Sequence, residues 1–227
     1  MLVISLQAIL EEATAEARFN VGQVKDLSHL LRPDNLRKLR EYSSVCCFLA
    51  FHPAGDPPIV EYVRSGTMAD DSGPNVLVLF VLDRPAPIAV PVGTGAFGHW
   101  AEIGVGVDPA HRMVRTLFSG SRVPPLPGLV VFRDLAEDTD GVYLPLGHLE
   151  SEREVRLHLR EVFAEMDHLA ATGRPAKLLD DLGVQWTRRG LAYERTDRRP
   201  MREWLIEGFR TARENYGDLV GTIGLFG

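Results

Sequence analysis

Seven short apolar runs, each closed off by proline, glycine or an acidic residue, constrain this chain more than any other feature. They are VCCFLAF (45–51), IVEYV (59–63), NVLVLFVL (75–82), PIAVPV (87–92), EIGVGV (102–107), LVVF (129–132) and VYLPL (142–146). Runs this short and this rich in branched residues favour strands over helices. DRPAP (83–87) predicts a tight hairpin turn after the third run, and AEDTDG an acidic turn between the last two.

Helical patterns are interspersed with these runs. Residues 5–18 place Leu6, Ile9, Leu10, Ala13 and Ala17 at helical spacing behind Ser5, and a second stretch opens at Pro33 and runs to Tyr42. Asp108 and Pro109 open DPAHRMVRTLF as a cap followed by a first-turn proline. From 151 to 171, Val155, Leu159, Val162, Phe163, Met166, Leu169 and Ala170 form one stripe, with Glu152, Glu154, Glu161 and Glu165 off it. A last helix is expected from Pro200 to Tyr216, closed by Gly217. The expected fold class is therefore α+β (α/β), a central mixed β-sheet with flanking helices. Its parts are an N-terminal helical extension (1–44), the mixed core (45–172) and a C-terminal extension with a helix and an apolar tail (173–227), packed as one unit.

The chain is 227 residues long and 45% hydrophobic, enough to bury a substantial core. Its net charge of −6 opposes non-specific attraction to nucleic acid or anionic lipid. No stretch of about 18 apolar residues is present to span a bilayer. The start, MLVISLQAILEEATAEA, lacks a basic leader region, so a soluble, cytoplasmic protein is expected. The only cysteines, Cys46 and Cys47, are adjacent, and neighbouring residues of a strand point to opposite faces.

PVGTGAFGHW (91–100) spaces Gly93, Gly95 and Gly98 as in a dinucleotide-binding loop. That chemistry needs a helix leaving the last glycine, because the helix start supplies N–H groups and positive dipole to the pyrophosphate. The exit here is HWAEIGVGV, which alternates like a strand, and Met113 and Val114 stand where an acidic ribose partner belongs. No bound cofactor is expected.

From 102 to about 170 the expected order is strand, helix, proline loop, strand, strand, helix. With LPGLVVF (126–132), this resembles the second half of a thioredoxin-like domain, over roughly residues 75–170. The resemblance implies that Pro127 occupies the family's cis-proline position, facing the active site. It also implies that VLVLFVLD (76–83) is the preceding central strand and DPAHRMVRTLF the helix before the proline loop. The family's redox chemistry needs Cys-x-x-Cys at a helix start. The matching region, RPAPIAVPVGTGAFGHW, has no cysteine, and Cys46 and Cys47 lie outside the resembling segment. The expected object is a degenerate thioredoxin-like core with N- and C-terminal helical extensions.

Other constellations are weaker. His158, Glu161, Glu165 and His168 share a helix side, but a carboxylate-bridged metal site needs a second Glu-x-x-His, so a solvated face is expected and no metal. Ser119 and Ser121 lack a nucleophile-elbow context. WTRRGLAYERTDRRPMR (186–202) holds six arginines; in an acidic chain without a nucleic-acid motif, protein contact or plain surface is the favoured use. The apolar tail DLVGTIGLFG (218–227) is too short to span a membrane; it docks on its own body or on a partner.

Two functions follow. The favoured one is a non-catalytic protein-binding, adaptor or chaperone-like domain, with Trp100, Pro127, Trp186, Trp204, Leu225 and Phe226 as contact residues. A protein partner is expected, and a homo-oligomer is compatible. The alternative is an enzyme with a cleft near the glycine loop (93–102) and the proline loop (122–128), where His99, Glu102 and Arg122 converge with Asp83 close by. Affinity capture with and without residues 218–227 tests the tail: a partner lost with it makes the tail a contact surface, and unchanged recovery removes it from that role.

Overall fold

The computed structural model describes residues 2–5, 34, 36–37, 43–81, 109–119, 123–172 and 175–208. Outside them lie the expected helix after Ser5, most of the stretch from Pro33 to Tyr42, the hairpin and glycine loop, the run 102–107 and the apolar tail.

Strands β1 (Leu2–Ser5), β2 (Val45–Ala50) and β3 (Val76–Phe80) are joined in one sheet by β4 (Gly128–Phe132), β6 (Gly141–Pro145) and β7 (Glu194–Arg195). Their spatial order is β1-β3-β2-β4-β6-β7. β2 runs parallel to β3, which is parallel to β1, whereas β2–β4, β4–β6 and β6–β7 are antiparallel. The mixed sheet with flanking helices is as expected. All residues of β2, β3 and β4 are buried, which is why these strands read as unbroken apolar runs and not as alternating ones.

Alternation decides which layer each side chain joins. Val45, Cys47, Leu49 and Phe51 face one core, and Cys46, Phe48 and Ala50 face the other. The first core lies under helices α1 (Pro57–Ser65), α2 (Met68–Ser72), α4 (Glu152–Ala171) and α5 (Leu178–Arg188). The second lies under α3 (Pro109–Arg115), Leu36 and helix α6 at residues 201–208. Helix α4 starts as its sequence dictates: the Ser151 side chain accepts the Glu154 N–H at 3.3 Å, and Glu154 in turn takes the Glu150 N–H at 2.9 Å.

IVEYV (59–63) is a correction. It lies inside α1 and not in a strand. Pro57 and Pro58 pre-set the first helical turn, and Ile59, Val60, Tyr62 and Val63 are all buried on one side of a helix, leaving Glu61 exposed. The helix ends at Gly66, whose φ of 75° suits glycine and few other residues. Elements that the sequence reading lacks include β1, in the segment taken to precede a helix at Ser5, the short helix α2, the two-residue strands of 138–139, 194–195 and 199–200, and α5, where Leu178, Leu179, Leu182 and Trp186 carry a helical stripe.

After α5 the chain returns along the sheet. β7 pairs with β6, and Arg199–Pro200 (β8) pairs with Asp138–Thr139 (β5). The buried Thr196 hydroxyl accepts the Gly141 N–H at 2.7 Å. These bonds deliver α6 to the second core, where the Trp204 ring packs edge-on to Phe48 (centroids 5.4 Å) and against Phe132 (5.2 Å). Its indole N–H donates to the Met113 carbonyl at 2.9 Å, and Arg112 of α3 meets Glu207 at 2.8 Å. Trp204→Ala removes a ring shared by strands and helices and is expected to cost about 3–5 kcal/mol. Urea denaturation followed by circular dichroism measures it; a loss under about 1 kcal/mol would show that α6 is not part of the cooperative core.

Candidate functional site

The register of the sheet decides what lies beside Pro127. Gly128 pairs with Ala50 at the end of β2. The Leu126–Pro127 peptide is cis, and the Pro127 carbonyl accepts the Leu146 N–H at 2.9 Å. The strand beside the proline loop is β2, which lies between β3 and β4. The loop at this edge is FHPAGDPP (51–58), leading from β2 into α1.

Here the chain closes a compact turn on itself. The His52 N–H donates to Asp56 Oδ2 at 2.6 Å, and the His52 carbonyl accepts the N–H groups of Gly55 (3.0 Å) and Asp56 (2.9 Å). His52 Nδ1 accepts from Ala54 N–H at 3.2 Å and Gly55 N–H at 3.0 Å. The start of α1 has little left to offer a ligand. Pro57 and Pro58 have no N–H, and those of Ile59 and Val60 both donate to the Asp56 carbonyl at 3.1 Å. An anion or thiolate at this helix start finds no first-turn donor.

Tyr143 stands behind the proline loop. Its hydroxyl donates to the Pro125 carbonyl, and its ring occupies the space a Cβ on residue 128 would need, which accounts for Gly128. Burial raises the Tyr143 phenol far above its ordinary range, with the charges of Glu194 and Asp56 adding to the shift. It stays protonated at neutral pH.

The thiols are equally unavailable. Burial pushes Cys46 up to about 12 and the Asp134 charge adds to this, while the Ser43 hydroxyl opposes it. Cys47 is raised well above its usual value by burial and by Cys46, and its thiol donates to the Leu77 carbonyl at 3.4 Å. Both are free, buried and on opposite faces of β2.

The contact residues named from sequence divide sharply. Trp186 is 0% exposed, with its indole N–H donating to Glu165 at 3.1 Å. Trp204 is 5% exposed. Rings so enclosed offer no surface to a partner, so both are corrected to core residues. Pro127 is buried at the head of β4. Trp100, Leu225 and Phe226 lie outside the described residues, as do His99, Glu102, Arg122 and Asp83.

The helix face bearing Glu161 and Glu165 is also committed. Both carboxylates grip the Arg189 guanidinium, Glu165 at 2.6 Å, while Glu161 remains exposed, as on the solvated face expected from sequence. His158 lies edge-on to His148 with centroids 5.5 Å apart; burial, then His148 and Arg189, lower its pKa. Among the described residues no group of three or more His, Cys, Asp or Glu is placed to hold a metal. Of the arginines of 186–202, Arg195 pairs with Asp140 at 3.2 Å and with Asp180, and Arg199 donates to the Ser119 hydroxyl at 2.9 Å. These guanidiniums are bound within the chain, not arrayed for phosphates.

A polar cleft of about 390 Å³ lies between α2 and α4. Its carboxylates hold the fold together. Asp71 takes the Tyr62 hydroxyl and Arg156 Nε, both at 3.3 Å, and Asp167 takes the Asn75 N–H (2.9 Å) and amide (3.0 Å).

No described helix is long and apolar enough to cross a membrane. Comparison with protein-family models, with curated proteins and with solved structures finds no match to this chain.

With Cys46 near 12, its thiolate fraction at pH 8 is on the order of one in ten thousand. An aromatic disulfide reagent is expected to label neither cysteine of the native protein at that pH, and to label both promptly in guanidinium. Rapid native labelling would place a thiol at the surface.

Proposed function

We propose that this chain is a thioredoxin-like scaffold stripped of redox chemistry, which acts in the cytoplasm as a protein-binding, adaptor or chaperone-like domain. The order β3-β2-β4-β6 supports that reading. So do the parallel and antiparallel neighbours of β2, and Pro127 at the head of β4 beside the loop that enters α1. Taking α1, and not the segment after Asp83 matched from sequence, as the family's first helix puts the paired cysteines of a redox-active member in this loop. Here it reads His52-Pro53-Ala54-Gly55-Asp56.

One observation carries the proposal. The segment beside Pro127 contains no thiol or hydroxyl nucleophile, and its backbone donors are spent on a self-contained turn and on the first turn of α1. A surface of this kind offers shape, exposed backbone edges and a small number of polar groups to another protein. His52, Ala54 and Gly55 are exposed there.

Two measurements test the reading together. Purified protein in a dithiothreitol-driven insulin-reduction assay is expected to match buffer alone. Affinity capture is expected to recover a partner, or a second copy of this chain, that is lost with Ala54→Glu and kept with Arg64→Glu on the exposed side of α1. Thiol–disulfide exchange above buffer, or a small-molecule turnover abolished by His99→Ala, overturns the proposal. So does a captured set indifferent to Ala54→Glu.

A further inference from the structure

We propose that the turn at 52–56 is a proton-operated latch, with the His52 ring as its catch. This deepens the binding reading by adding regulation to the same surface; the latch itself stands on the turn's geometry alone.

The argument starts from the ring nitrogens. Nδ1 accepts the N–H groups of both Ala54 and Gly55, so it carries no proton in this turn, and the neutral ring is the tautomer with its proton on Nε2. The ring also lies against Gly55, with Nδ1 and Cβ each 3.4 Å from where a side chain on that residue would begin. The residue is exposed, so protons in solution reach it. A protonated imidazole bears N–H on both nitrogens. Nδ1 then presents a hydrogen to the Ala54 and Gly55 donors where it had offered a lone pair, so the charged ring and this turn exclude each other.

Asp56, at the start of α1, supplies the alternative. Its carboxylate already holds the His52 N–H, so it lies within one residue's reach of a ring that swings away. From β6, the buried Tyr143 phenol senses the Asp56 charge and stays neutral. In the charged state the imidazolium pairs with Asp56 and gives up its two Nδ1 contacts, while the His52 carbonyl keeps the Gly55 and Asp56 N–H groups. Gly55 N–H keeps its bond to the His52 carbonyl, whereas Ala54 N–H gives up the Nδ1 bond and becomes available to a partner's carbonyl. The surface beside Pro127 thus has a closed neutral form and an open protonated form.

Nitrogen-15 NMR of the intact chain between about pH 5 and pH 8 tests this. Long-range histidine spectra are expected to show the Nε2–H tautomer for His52 at the upper end. The Ala54 amide is expected to shift in step with protonation of that ring. In His52→Asn the side-chain oxygen keeps an acceptor near Nδ1 but takes up no proton, and the Ala54 amide is expected to lose that dependence. A neutral Nδ1–H tautomer, which needs no variant to observe, overturns the latch, as does an Ala54 amide indifferent to the ring's charge. Partner recovery at both ends of the range separates the two proposals. Recovery that ignores pH while the amide follows the ring leaves the latch intact and removes its role in binding.

Discussion

Strand β2 pairs in parallel with β3 on one side and antiparallel with β4 on the other, and the rest of the molecule is arranged around that junction. Its six residues are between 0% and 6% exposed, so both of its faces are core. Odd-numbered residues anchor the layer of α1, α4 and α5; even-numbered ones, Phe48 above all, receive Trp204 from α6. The same pleat sends Cys46 and Cys47 to opposite layers. The two adjacent thiols are thereby divided, as expected from sequence, and desolvated.

Many charged side chains of this fold pair with one another across elements. Arg189 joins α4 to the end of α5, Arg195 joins β7 to Asp140 and Asp180, and Asp71 joins α1 and α2 to α4. Several of these pairs are half-exposed, and such pairs contribute roughly 0–1 kcal/mol each. Their effect is to set the path of the chain and not to supply bulk stability, which comes from the two apolar layers. The edge beside Pro127 is where β4, the loop at 51–58 and the start of α1 meet.

Much of the fold was legible where burial and local pattern agree. NVLVLFVL, LVVF and VYLPL read as strands because both their faces are apolar, and 151–171 reads as a helix because its apolar residues form one stripe. IVEYV misled because four apolar residues around one acid fit a short strand as well as one helical turn, and Pro57-Pro58 can precede either. In 178–188 the stripe is present but short, and the arginines that follow it are placed by distant partners. Their partners Asp140, Asp180 and Glu161 are 55, 15 and 28 residues away, beyond any local signal.

The sequence by itself determined the class of fold, the apolar strands, the long capped helix and the lack of a linear cofactor or metal motif, since each follows from neighbours a few residues apart. Only the tertiary structure decided that β2 and not 76–83 adjoins the proline loop, that Trp186 and Trp204 are core, and that His52 closes the turn beside Pro127. The reason is physical. Strand adjacency and ring burial are settled by contacts between residues tens of positions apart, and a local pattern encodes that a segment is buried without encoding what buries it.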